Sequence, residues 1–245
     1  MLKDQDMRRF YAAIESFSEN TVTLDSDETR HLRDVLRLKV GDVVAVFDGT
    51  GREFACAVAA VGKKSTELTI ERETLPASPE SPFEITLAAA VLNGEKYDLI
   101  IQKAVELGVT NLFPLITVRC DVKVNDAAKR LDRWRRIVLD ATKQSGRANL
   151  MRLGDPSALD TLLSHPELGE TILFSERGGI AFSTIAAEKK ITALIGPKGG
   201  WDDSELASAG KAGVKIITLG GRILRAETAA ISIAAILQHK FGDLN

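Results

Sequence analysis

The chain has 245 residues, room for one large or two modest domains, and its 44% hydrophobic and 27% charged residues with only 7 prolines exclude a disordered, collagen-like or low-complexity protein. Its 32 basic and 34 acidic residues leave a formal charge of -2, which excludes a histone-like polycation but allows a local basic patch. The longest apolar stretch, residues 85–92, is far short of the roughly 18 residues of a membrane helix, the opening MLKDQDMRRFY has no apolar signal core, and Cys56 and Cys120 form no CxxC pair, so a cytoplasmic protein with no membrane partner and two buried thiols is expected.

Residues 1–72 consist of short β-branched runs separated by turn signals. Arg8-Arg9-Phe10-Tyr11 sets cations beside rings and reads either as a first strand or as a cluster that tracks an RNA backbone and stacks a base. A strand over 21–24 is followed by Asp25-Ser26-Asp27-Glu28 and then Leu32, Val35 and Leu36, which predicts a capped short helix carrying His31, Arg33 and Arg37. Strands over 43–47, 54–61 and 67–70 complete a small β-barrel, with Asp48-Gly49-Thr50-Gly51 as a hairpin turn. The three prolines between Glu73 and Pro82, without periodicity, mark residues 73–84 as a linker.

Beyond the linker the pattern becomes a strand-helix alternation: strands over 85–92, 111–117, 171–174, 191–195 and 215–219, and helices over 96–107, 127–147, 157–163, 204–212 and 227–240. Such alternation predicts an α/β domain over 85–245, a mostly parallel sheet covered by helices on both faces. In the helix over 127–147, Leu131, Trp134, Val138 and Ala141 form an apolar face opposite Lys129, Arg133, Arg136, Lys143 and Arg147. Residues 122–152 hold nine Lys or Arg against three Asp, a local +6 that reads either as a solvated helix face or as the footprint of a polyanion.

Parallel α/β sheets bind ligands beyond the carboxyl ends of their strands. Three such ends carry paired glycines, in Phe174-Ser175-Glu176-Arg177-Gly178-Gly179, Gly196-Pro197-Lys198-Gly199-Gly200-Trp201 and Gly220-Gly221-Arg222. Any one of these pairs could simply end a strand; three at one edge point to a ligand gripped by main-chain groups. Neither GxGxxG after a strand nor GxxxxGK[ST] nor GxSxG occurs, and His31, His165 and His239 are scattered, so a dinucleotide enzyme, a P-loop NTPase, an ordinary α/β-hydrolase and a metal site are not expected.

Five motifs stand in order along the chain: His31-x3-Val35-Leu36-Arg37; Gln102-Lys103-Ala104-x-Glu106-Leu107-Gly108; Arg133-Trp134 with Gln144-Ser145-x-Arg147; Ile195-Gly196-Pro197-x-Gly199-Gly200 with Glu205; and Leu219-Gly220-x-Arg222-Ile223-Leu224-Arg225-x-Glu227-Thr228-Ala229. Together they resemble the RsmE family of small-subunit ribosomal RNA uridine methyltransferases, over essentially the whole chain, and the last motif is the most specific. The resemblance implies a PUA-like β-barrel followed by a SPOUT-type α/β domain whose C-terminal part is threaded into a trefoil knot. It also implies a homodimer that binds S-adenosylmethionine in the knot and methylates N3 of one uridine near the decoding centre of 16S ribosomal RNA in the small ribosomal subunit. Two positions depart from the family's usual pattern: Lys198 stands where Glu is usual, and Trp201 where Phe is common.

For the cofactor, the resemblance carries over Leu173, Phe174, Ser175 and Glu176; Ile195, Gly196, Pro197, Gly199, Gly200 and Trp201; and Leu219, Gly220, Ile223 and Leu224. For the chemistry, Arg225 is expected to donate hydrogen bonds to a uracil oxygen as the N3 anion develops. Glu227 either orients that arginine or caps the following helix. RNA contacts are expected from Arg8, Arg9, His31, Arg37, Arg136, Lys143 and Arg147.

Overall fold

The computed structural model describes residues 7–165 and 168–244. These divide into two compact units, one formed by residues 7–80 with Thr142–Leu150, the other by Ser81–Ala141 with residues 151–165 and 168–244.

The first unit contains β1 (Arg9–Tyr11), β2 (Thr21–Leu24), α1 (Ser26–Arg30), β3 (Val43–Phe47), β4 (Glu53–Val61) and β5 (Thr66–Thr74). They form one five-stranded sheet in the order β1-β3-β4-β5-β2, antiparallel except for the β1–β3 pair. Alternate residues of β4, Phe54, Cys56 and Val58, turn inward onto Phe10, Val22, Leu24, Val44, Val46 and Leu68. Register shifts in β4–β5 at Ala55/Cys56 and Val58/Ala60 add local twist. The Asp25 carboxylate caps α1, accepting from Asp27 N and Glu28 N at 2.9 Å each, and the chain continues as a π-helical turn, His31–Val35, whose Leu32 closes the core. Burial pushes the Cys56 thiol up to about 12, so it is an inert small hydrophobe. β5 extends two residues into the expected linker, because Glu73 and Thr74 still pair with Phe54 and Glu53.

Three cations expected at an RNA surface are instead used inside this unit. Arg9 is almost buried; its guanidinium binds Glu53 (2.5 and 3.1 Å) and donates to the carbonyls of Thr142, Lys143 and Arg147 at 2.8–3.2 Å. Lys143 is bonded to the buried Glu28, and Arg147 is buried against Glu80 at 2.6 Å. For Arg9 the physical reason is the helix end, whose last carbonyls need donors and favour cations; for Lys143 and Arg147 it is a carboxylate partner, Glu28 and Glu80, that each one neutralises.

The second unit contains β6 (Glu84–Ala90), α2 (Lys96–Glu106), β7 (Asn111–Ile116), α3 (Val124–Ala128), α4 (Leu131–Ser145) up to Ala141, its last turn from Thr142 belonging to the first unit, β8 (Arg152–Leu153), β9 (Ser157–Ala158), α5 (Leu159–Leu163), β10 (Glu170–Phe174), β11 (Ile180–Ala181), β12 (Lys190–Ile195), α6 (Asp203–Lys211), β13 (Lys215–Thr218) and α7 (Ala226–Phe241). The sheet is parallel throughout, in the order β11-β13-β10-β12-β6-β7-β8, with β9 also on β7. Ala88, Leu115, Leu173 and Leu194 pack with Leu159 and Leu162 of α5 and Ala209 of α6. The alternate strand residues Leu87, Ala89, Ile172 and Ala193 are buried as well, and α7 packs on β6 and β12, as a sheet covered on both faces requires. The single helix expected over 127–147 is two, separated at Lys129 and Arg130, where Arg130 N closes an i to i+3 bond on Ala127 O.

The last strand, β13, lies between β10 and β11. Phe174 pairs with Ile217 on one side and Ile180 pairs with Ile217 on the other, so residues 175–179 cross β13. The crossing is bonded at both ends, by Ser175 N to Ile217 O at 2.9 Å and by Gly179 N to Thr218 Oγ1 at 3.0 Å.

Candidate active site

The carboxyl ends of β10, β12 and β13 enclose a cavity of about 300 Å³. Of the residues expected to hold a cofactor, Phe174, Ser175, Glu176, Ile195, Gly196, Pro197, Gly199, Gly200, Trp201, Leu219, Ile223 and Leu224 line it. Leu173 does not; it is fully buried in the core, in one cluster with Leu194 and Trp201. Gly220, exposed at φ +59, is also outside the lining and serves to turn the chain out of β13. Lys198 and Arg222 add cations to the wall, and Ala226, Ala229 and Ile233 of α7 form its apolar floor.

The shape of the middle loop follows from its residues. Gly200 N donates to Pro197 O at 3.0 Å, closing a turn that leaves Gly200 at φ +70. A Cβ on Gly196 would stand 2.9 Å from the Trp201 indole nitrogen, so only glycine fits there. Trp201 is buried, and its Nε1 donates to Phe174 O at 2.8 Å, joining this loop to the end of β10. A phenylalanine at that position has no such donor. The loop then enters α6 through a capping box: Asp202 Oδ1 accepts from Ser204 N at 3.1 Å, and Glu205 Oε2 accepts from Asp202 N at 3.0 Å. The Ser204 hydroxyl, donating to Asp202 Oδ1 at 2.7 Å, then that Ser204 N–H and the Arg119 guanidinium, hold the Asp202 carboxyl below the usual carboxylate range.

Arg225 and Glu227 sit beside the cavity rather than in its wall, flanking Ala226. Arg225 is exposed and is the N-cap residue of α7. The Glu227 carboxylate lies in the helix's first turn and pairs with Lys96 at 3.3 Å. Its own main-chain N–H, then Lys96 and the Arg225 charge, hold its carboxyl below the usual range against the opposing effect of burial. Of the two roles open to Glu227, the geometry favours steadying the helix start.

Among the cations expected to meet RNA, Arg8, His31, Arg37 and Arg136 are exposed, unlike Arg9, Lys143 and Arg147. His31 opens the π-helical turn with its ring 6.0 Å from Phe10. Arg37 is the non-glycine residue at positive φ among the described residues, at +55. Two residues near the cavity went unread in the sequence. Lys96 had no motif to mark it. Arg119 follows β7, itself a parallel strand, so the rule about carboxyl ends would have found it had it been applied beyond the glycine-bearing loops.

Residues 79–238 match the profile of an RNA methyltransferase domain, and residues 24–71 that of an RNA methyltransferase PUA domain. The chain belongs to the ribosomal RNA small subunit methyltransferase E family. It is 33% identical to the Synechocystis member over 93% of this chain and 76% of that protein, and 32% identical to the Aquifex aeolicus member over 95% of this chain and 100% of that one. A Neisseria gonorrhoeae ribosomal RNA small subunit methyltransferase E solved with S-adenosyl methionine bound superimposes with a TM-score of 0.89 at 36% identity, covering 98% of this chain and 100% of that one. A Legionella pneumophila protein solved with its cofactor SAM gives a TM-score of 0.88 at 31% identity, covering 97% and 99%. As a member of this family the chain is a ribosomal RNA methyltransferase with a PUA-like N-terminal domain and an α/β methyltransferase domain. Among the described residues no group of side chains could hold a metal ion, and no helix is long and apolar enough to cross a membrane.

Proposed function

We propose that this methyltransferase moves the methyl group of S-adenosylmethionine to N3 of one uridine near the decoding centre of 16S ribosomal RNA in the small subunit, working in the cytoplasm as a homodimer. The observation that carries the reading is the cavity itself, which gathers three strand-end loops at one edge of the sheet. Its chemistry fits the cofactor. Ile195, Leu219 and Leu224 offer apolar surface for a purine, loop main-chain groups offer hydrogen bonds, and Glu176 with Lys198 and Arg222 offers both signs of charge to a zwitterion. Exposed Leu99, Ile180 and Ile236 on the same unit supply apolar surface for the homodimer.

S-adenosylmethionine supplies an electrophilic methyl group on a sulfonium. The protein's task is to hold the uracil in line and to lower the cost of the N3 anion. Uracil N3 is a weak acid close in strength to a tyrosine phenol, at about 10, so stabilising the anion matters more than supplying a strong base. Arg225 is suited to this: it is exposed at the rim, permanently charged, and able to offer two N–H groups to a carbonyl oxygen that gathers negative charge. Glu227 and Lys96 steady the helix start from which that guanidinium projects. Arg8, His31, Arg37 and Arg136 then serve as RNA contacts.

A trefoil knot belongs to the same reading. Its support is the crossing of β13 by residues 175–179, because the chain leaving β13 toward α7 has to clear that crossing. The test of function uses labelled S-adenosylmethionine and small subunits lacking the modification, with the labelled nucleotide mapped. Label at uridine N3 is expected with the unaltered chain. Arg225→Ala should lower turnover on the order of 100-fold or more while leaving cofactor affinity within several-fold. Unchanged turnover would remove Arg225 from the mechanism, and label on another nucleotide would remove the uridine.

A further inference from the structure

The loop that leaves β7, residues 117–119, contributes nothing to the cavity wall, yet it holds the glycine loop at two points. Glu205, buried in the first turn of α6, accepts from Val118 N at 2.9 Å through Oε1 while its Oε2 accepts from Asp202 N. Arg119 reaches the other way. Its Nη1 donates to Gly199 O at 3.1 Å and its Nη2 to Asp202 Oδ2 at 3.2 Å. A Cβ on Gly199 would lie 3.3 Å from the Arg119 Cβ, so the glycine backbone rests on the arginine stem.

These contacts fix one peptide unit. Between Gly199 and Gly200 the carbonyl is held by Arg119, and the N–H is held by Pro197 O. Two adjacent glycines have no side chains to restrict them, and an unrestrained pair would surrender its freedom each time a ligand bound. Restraint supplied in advance lowers that cost and so tightens binding. A guanidinium suits the task, because its planar fork spans two acceptors that one ammonium holds less rigidly.

We propose that Arg119 is a positioning residue for the methyl donor: from outside the cavity it fixes the Gly199–Gly200 peptide and so preforms the wall against which S-adenosylmethionine binds. This rests on the cofactor reading above. It differs from an RNA contact, which would act on the other substrate, and from a purely structural tie, which would act on stability alone.

The experiment is calorimetric titration of the RNA-free protein with S-adenosylmethionine, for the unaltered chain, Arg119→Ala and Arg119→Lys, with kcat and each KM measured on undermodified small subunits. Arg119→Ala should weaken cofactor binding about tenfold, raise KM for the cofactor in step and leave kcat at saturation within about twofold, with Arg119→Lys recovering part of the affinity. Cofactor affinity unchanged in both variants, or a defect confined to the KM for the RNA substrate, overturns the proposal. Should the alanine variant not fold, the lysine variant decides: a weakened affinity supports the role and an unaltered one overturns it. If the unaltered chain takes up no S-adenosylmethionine at all, the cofactor reading fails first and this inference falls with it.

Discussion

Trp201 shows how one side chain can serve both the core and the site. Its ring belongs to the hydrophobic cluster with Leu173 and Leu194, while its indole N–H donates to the carbonyl of Phe174, the residue at which β10 ends and the cavity begins. Trp201→Phe keeps an aromatic ring in the core, but it removes the donor together with part of the indole, so a small cavity adds to the lost bond. The carbonyl is then left in a buried place without that partner, at a cost of about 1–3 kcal/mol. Urea denaturation should read that loss as a lower midpoint with an unchanged slope. An unaltered midpoint would mean that the bond contributes nothing net and that phenylalanine serves this chain equally well. The sequence marked position 201 as a cofactor contact and as a departure from the family's pattern; the bond depends on where the end of β10 lies in space, which spacing along the chain does not encode.

At the scale of elements, the chief lesson concerns the end of α4. The basic run over 122–152 was legible, and its use was not. Lys129, Arg133 and Arg135 pair with Asp126, Asp98 and Asp132, while Lys143 and Arg147, themselves part of the first unit, pair with Glu28 and Glu80. Counting charge in sequence cannot see partners brought from 67 or 115 residues away. Arg9 completes the set, a residue of β1 acting as a cap on the helix end through the carbonyls of Thr142, Lys143 and Arg147. Arg9→Ala would leave Glu53, buried in β4, without its counter-charge, together with three carbonyls short of a donor. A loss of about 3–5 kcal/mol is expected for breaking such a buried pair from one side, measurable by denaturant unfolding without any RNA. Undiminished stability would return Arg9 to the RNA surface. In the α/β unit the expected strands match β6, β7, β10, β12 and β13 to within a few residues, because buried parallel strands are dense in apolar residues, whereas the two-residue strands β8, β9 and β11 are too short to leave such a signal. The break between α3 and α4 was invisible because Ala127, Leu131, Trp134, Val138 and Ala141 keep helical phase straight across it.

For the whole molecule the remaining question is topological, and hydropathy carries no topological information: the same strands and helices could be joined with or without a threaded end. In the structure, residues 175–179 span β13 and are bonded to it at Ser175 and Gly179. The proposed knot therefore requires the segment from Leu219 through α7 to be passed through during folding, from the C-terminal side. That requirement has a kinetic consequence. A stably folded, bulky domain fused after α7 would have to follow the chain through the same opening or wait for the surrounding loop to open, whereas the same domain fused before β1 would meet no obstacle. Refolding from denaturant, followed by recovery of S-adenosylmethionine binding, should be slowed many-fold by the C-terminal fusion and left near the unfused rate by the N-terminal one. The final affinity should be the same in all three proteins, since the fused domain lies outside the cavity. Equal refolding rates for the two fusions would mean that no end is threaded, and the crossing over β13 would then be an ordinary surface connection.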